Sequence, residues 1–174
     1  MKESGVMQEK IVKQDLIEVR TLMSLPCRFD TGPIMGRFLR GLRDEGKILA
    51  TYCSGCGRTF LPPVQVCSAC KDEVSEWVEL SDEGYLASFD VVVIPTINPL
   101  TGEMRKVPYS VGRMVLDGGD AMMWHFLDKT DPKDLAFGKR VKAVWAEHRE
   151  GRITDIVHFK VLDQIDPKAR RVNE

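Results

Sequence analysis

Residues 52–70 read YCSGCGRTFLPPVQVCSAC. The pairs Cys53/Cys56 and Cys67/Cys70 stand ten residues apart. Each Cys-x-x-Cys lets two thiolates from one tight turn reach the same ion, and the intervening hairpin completes a tetrahedral four-cysteine cage. Gly55 and Gly57 suit the first knuckle, where amides near the sulfurs need a tight, partly left-handed turn. Pro62-Pro63 forces an extended or turning path between the pairs. Four soft ligands leave no coordination position for water, so the chemistry implied is a structural zinc held by Cys53, Cys56, Cys67 and Cys70. A thioredoxin-like redox site needs a single Cys-x-x-Cys in a βαβ context, which is absent. Iron in the same cage, as in rubredoxin, is the other metal this donor set accepts. So small a module has little core, and metal binding supplies most of its folding free energy, on the order of 10 kcal/mol.

Upstream, ILATYC (48–53) reads as a short strand leading into the cage. Before it, residues 33–46 predict a helix, with Thr31 as cap, Pro33 in the first turn and Gly46 as the stop. Ile34, Met35, Phe38, Leu39 and Leu42 fall on one face, and Arg37, Arg40, Arg43 and Lys47 on another. That basic stripe reads either as a solvated helix face or as a site for an anionic partner such as the phosphates of a nucleotide-like cofactor. Residues 8–23 carry a further amphipathic helical pattern that ends before Pro26. Cys27 stands alone and reads as a small buried hydrophobe.

Downstream, Trp77, Val78 and Leu80 restart strand character, and five strand patterns follow: 84–94, 107–116, 121–127, 138–147 and 153–162. Gly118-Gly119 marks the turn between the second and third, and 148–152 the hairpin between the last two. Asp131 and Pro132 open a short helix over KDLAF that stops at Gly138. Five strands with a short helix between the third and fourth predict an OB-fold barrel. The fold expected is therefore mostly β: an N-terminal helical segment (1–47), a zinc ribbon (48–80), a five-stranded OB-fold (81–165) and a polar flexible tail (166–174).

Composition narrows the function. The chain has 174 residues and a formal net charge of −1. That balance speaks against a phosphate-gripping nucleic-acid binder, which is usually clearly basic. The N-terminus has no apolar run suited to a signal peptide, and no window resembles a membrane span, so the expectation is a cytoplasmic protein. His125 and His158 lie in apolar strands and read as barrel residues; His148 lies at a turn and reads as solvated. No Gly-x-Ser-x-Gly, phosphate loop or paired-carboxylate signature is present, so no catalytic residue is assigned.

FLRG (38–41), GKI (46–48), YCSGCG (52–57), TFLPPVQVCSAC (59–70), Trp77, GYLAS (84–88), PYSVG (108–112), DGGDAMM (117–123) and FGKRVKAVW (137–145) together resemble the acyl-CoA-associated zinc-ribbon/OB-fold family. The resemblance spans residues 33–162. Leu39, Val64 and Ser68 depart from the Trp, Arg and Pro that many members carry there, and none of the three is a metal ligand. The resemblance implies a noncatalytic subunit that partners a thiolase-fold enzyme, or in some members an acyl-CoA hydratase or aldolase. Such a subunit scaffolds the enzyme and shapes its acyl-CoA channel, in some members within bacterial breakdown of aromatic or steroid acyl-CoA compounds, anaerobic toluene degradation among them. A second reading is a single-stranded nucleic-acid module using aromatic and basic residues of 107–113 and 139–145 on the barrel face.

Overall fold

The computed structural model describes residues 30–98 and 101–169. The helical pattern at 8–23, Cys27 and most of the C-terminal tail lie outside the described residues. Helix α1 (Gly32–Arg40) begins with Pro33 in its first turn. Thr31 makes no side-chain capping bond there, contrary to the expected cap. Beyond Arg40 the coil loosens into a π-type turn, Gly41–Glu45, which ends on left-handed Gly46 at φ +66°. Phe38 and Leu42 are buried and Met35 and Leu39 pack against them, while Ile34 stays half-exposed.

Two sheets follow. The ribbon sheet has the order β2 (Arg58–Phe60), β1 (Ile48–Cys53), β3 (Glu76–Leu80), all antiparallel. The second sheet comprises β4 (Glu83–Val92), β5 (Tyr109–Leu116), β6 (Met122–Phe126), β7 (Lys139–Trp145) and β8 (Ile156–Ile165). Its order is β6-β5-β4-β7-β8. A parallel bridge between Leu127 and Phe159 brings β6 to β8 and closes the barrel. Asp128 reinforces the closure, donating its N–H to Phe159 O (3.1 Å) and accepting from Val161 N (2.8 Å). Closure of this kind leaves no free sheet edge at the seam.

Four of the five strands are shorter than their sequence patterns, and β8 (Ile156–Ile165) keeps the length of its pattern, 153–162, but starts three residues later. Residues 93–98 and 101–108 leave the sheet and form an arm between β4 and β5, with Ile97 bridging Met104. The expected helix over KDLAF contracts to one 3-10 turn, Pro132–Asp134, capped by Asp131 accepting from Lys133 N. Five residues are too few to nucleate a free-standing helix. The β7–β8 connection is longer than the hairpin read at 148–152, because Ile153–Asp155 form a further 3-10 turn. There the buried Asp155 carboxylate accepts from the amides of Glu150, Gly151 and Arg152.

One core runs through both sheets. Phe38 and Leu42 from the helical segment, Ile48 and Ala50 from β1, and Leu80 from β3 join Leu86, Met114, Val141 and Phe159 of the barrel. Alternation on β5 shows why: Ser110, Gly112, Met114 and Leu116 point inward, with the odd-numbered residues outward.

Candidate metal centre

The four cysteines converge as their spacing requires. Their Sγ atoms all lie within 4.8 Å of one another, and Cys56 Sγ and Cys67 Sγ are 3.6 Å apart. A tetrahedron of sulfurs around zinc at 2.3 Å has edges of about 3.8 Å, so the donor set fits the ion in number, type and spread. Cys53 and Cys67 are buried, Cys70 is half-covered and Cys56 is exposed.

The two knuckles are built alike. Gly57 N donates to Cys53 O (2.8 Å) and Lys71 N donates to Cys67 O (3.0 Å). In each, the residue after the second cysteine is left-handed: Gly57 at φ +71° and Lys71 at φ +66°. The requirement expected of Gly55 and Gly57 thus rests on Gly57 alone. Gly55 is not left-handed; it sits close in, where a Cβ would lie 3.6 Å from Cys70 Sγ and 3.7 Å from Cys53 Sγ. That the second knuckle uses lysine for the same conformation has no signature in the sequence.

Electrostatics within the cluster are uneven. The Cys70 amide, 3.3 Å from Cys67 Sγ, stabilises that thiolate and lowers its pKa to about 6. The Cys56 side chain pushes Cys70 up to about 12. One sulfur is ready to ionise beside others that resist it, and a divalent cation is the charge that makes four thiolates compatible. Such a cage supplies structure, since it offers no open position to a substrate.

The helical stripe is less of a unit. The Arg37 guanidinium lies over the Trp77 ring, 4.4 Å from its centroid. Arg43 pairs with Asp44 (2.7 Å), and Lys47 with Glu79 (2.9 Å) and Glu45 (3.6 Å). Arg40 lies on the same side, exposed. The cations of 139–145 are likewise engaged. Arg140 binds Asp117, Asp166 and Glu83, Lys142 binds Glu83, and Lys139 reaches Asp163. They lie on β7, which β4 separates from β5, so 107–113 and 139–145 are not neighbouring strands of the sheet.

The histidines are placed as barrel and surface residues. His125 is buried, accepts from Phe126 N at Nδ1 (2.9 Å), and so donates from Nε2 to Ile153 O (3.2 Å). Burial holds its pKa below the ordinary imidazole value. His148 is exposed. No helix among the described residues is long and apolar enough to cross a membrane.

Two family models match the sequence. Residues 40–75 match the rubredoxin-like zinc ribbon domain of ChsH2, and residues 77–146 its C-terminal OB-fold domain. No curated protein is significantly similar in sequence. Among solved structures, a protein of unknown function from the DUF35 family of Sulfolobus solfataricus superposes with a TM-score of 0.50 at 22% identity. The match covers 78% of this chain and 87% of that one. A chain of the Ltp2-ChsH2(DUF35) aldolase superposes with a TM-score of 0.51 at 20% identity, covering 72% of this chain and 93% of that one. At these identities the likeness establishes the fold.

Proposed function

This chain belongs to the family of ChsH2-type zinc-ribbon/OB-fold proteins, and from that premise we propose that it is the noncatalytic subunit of a heteromeric acyl-CoA enzyme. The partner we assign is a thiolase-fold enzyme that makes or breaks a carbon–carbon bond with CoA, in anaerobic breakdown of aromatic compounds through benzylsuccinate-type intermediates. The observation that carries the reading is that the chain's densest chemistry is spent on structure. Four cysteine sulfurs are grouped to fill the coordination sphere of one ion, and the buried histidine is bonded to backbone on both nitrogens. The similar chain from the Ltp2-ChsH2(DUF35) aldolase, whose name joins two components, supports a partnered role.

Within this reading Arg37, Arg40, Arg43 and Lys47 meet the anionic end of CoA or an acidic surface of the partner. Arg43 is paired with Asp44, and Lys47 with Glu45 and Glu79, in exposed ion pairs that hold little net energy and exchange readily.

Mild affinity purification from native cells, with mass spectrometry, tests the proposal. A stoichiometric thiolase-fold subunit is expected, with CoA-dependent turnover of a 3-oxoacyl-CoA in the complex and none in the isolated chain. Turnover by the pure chain overturns the reading. So does a partner whose kcat/KM is indifferent to this chain.

A further inference from the structure

The outer face of the β5–β6 pair and the arm at 93–108 carry large apolar side chains in the open. Trp124 is 57% exposed and Met122 43%; on the arm Val93, Ile94, Ile97 and Met104 are 59–73% exposed. The arm lies beside the barrel face: Arg105 stacks over the Phe126 ring (5.1 Å), and Thr96 Oγ1 is bonded to Tyr109 Oη (3.1 Å). These six side chains present on the order of 600 Å² of apolar surface, against about 800 Å² per partner in a standard interface.

We propose that this face is where the chain docks on its catalytic subunit, against an apolar protein surface carrying a carbonyl or carboxylate at Arg113. The inference rests on the accessory role proposed above. Arg113 supplies the polar half. Its guanidinium lies over the Trp124 ring at 4.4 Å, and its Nε is buried with no acceptor among the described residues. Arg113 as a whole is only half-buried, and a guanidinium held flat on an indole offers its outer N–H groups to an oxygen from an opposing surface. Trp, Met and Arg together are the composition of an interface core.

Nucleic acid fits the same face poorly. The aromatic surfaces that would stack bases, Trp124 and Phe126, each already carry an arginine. The exposed arm residues are aliphatic or thioether and offer no stacking plane. Asp90 and Glu103 partly offset Arg105, Lys106 and Arg113, so the segments carry little net positive charge.

The test compares the complete chain with Ile94→Asp/Ile97→Asp, purified from native cells with the co-purifying catalytic subunit. Both positions are exposed, so the variant is expected to keep its zinc and melting temperature while binding that subunit at least tenfold more weakly. Trp124→Ser, on the barrel face instead of the arm, is expected to do the same. In the wild-type complex, hydrogen exchange should slow over 93–107 and 122–126. Undiminished binding by both variants, or slowing confined to other faces, overturns the docking assignment and leaves the accessory role intact. Absence of any catalytic subunit from the wild-type preparation removes both. A doubling of mass with concentration that the variants abolish would make the face a self-association surface. Single-stranded oligonucleotide binding lost in Trp124→Ser would make it a nucleic-acid surface; either result overturns the proposal.

Discussion

Around the four sulfurs, buried apolar side chains are few: Cys53, Cys67 and Val74, with Phe60 and Cys70 packed alongside. Around Phe159 they are many, and they come from every barrel strand as well as from α1, β1 and β3. The two regions are held by different physics. In the knuckles a metal must replace the missing core, because three buried side chains cannot offset the entropy of ordering two loops. In the barrel, burial of apolar surface suffices. The ribbon sheet belongs to both, since β1 and β3 send Ile48, Ala50 and Leu80 into the larger core. Metal loss should therefore melt the knuckles together with β2 and stop at β1 and β3, which are anchored in the larger core.

Removing one ligand tests that division most severely. Cys53→Ala should abolish stoichiometric zinc and unfold residues 53–74, because a site worth about 10 kcal/mol in folding is lost. Hydrogen exchange over β4, β5 and β8 should change little. Retention of one zinc per chain with an unchanged melting temperature would refute the metal centre. Phe159→Ala is the converse experiment. This side chain is fully buried and should cost about 3–5 kcal/mol by urea melt, with zinc content unaltered in the folded fraction. Loss of zinc in step with stability would show that the two regions form one cooperative unit.

The seam between them is small and specific. Thr59 N donates to Asp120 Oδ1 (2.8 Å), which ties β2 to the β5–β6 turn. Gly119 in that turn leaves no room: a Cβ would lie 2.9 Å from Leu80 Cδ2 and 3.1 Å from Thr59 Cγ2. Gly119→Ala should cost about 1–2 kcal/mol through this overpacking. Exchange should quicken in β2 and β3 more than in β7 and β8, whereas uniform quickening would deny the seam any separate existence.

How much of this was legible in the sequence depended on the range of the forces involved. The metal cage was legible because Cys-x-x-Cys is a local geometry: four ligands in two turns fix their own meeting point. The barrel strands were legible because alternation on β5 and β7 writes burial directly into the residues. Two things were not. The arm at 93–108 reads as strand ends, since Val93, Ile94 and Val107 have strand character; only the NPLTG run, 98–102, hints at a turn. The engagement of the helical stripe with Trp77 and Glu79 was also hidden, because those partners lie on β3, more than thirty residues away in the chain. Pairings of that kind are set by tertiary packing, and helical periodicity carries no trace of them.

A smaller effect separates the barrel from the knuckles by pH. Burial keeps His125 neutral and its pKa below the ordinary value. As pH falls below about 6.5 the unfolded chain takes up the proton first, so stability contributed by this group is full above that pH. It is lost as pH drops from there through the folded-state value. Urea melts between pH 7.5 and 5 should show this decline in the wild type and not in His125→Phe. A parallel decline in both would place the titration elsewhere.

The smallest expected change concerns stability at the helical stripe, and it tests whether that region belongs to either structural regime. Arg37, Arg40, Arg43 and Lys47 lie on the solvent side of a segment whose other side, Phe38 and Leu42, is locked in the barrel core. Exposed ion pairs and a surface cation–π stack contribute little to folding. Arg40→Glu and Arg43→Glu should therefore leave zinc content and melting temperature near wild type. If the stripe meets phosphates or an acidic partner surface, the same reversals should weaken binding of CoA or of the catalytic subunit several-fold, and more so at low salt, where exposed charges are least screened. Binding that is unchanged at low ionic strength would reduce the stripe to a solvated face, its arginines serving the protein only through Trp77 and Asp44.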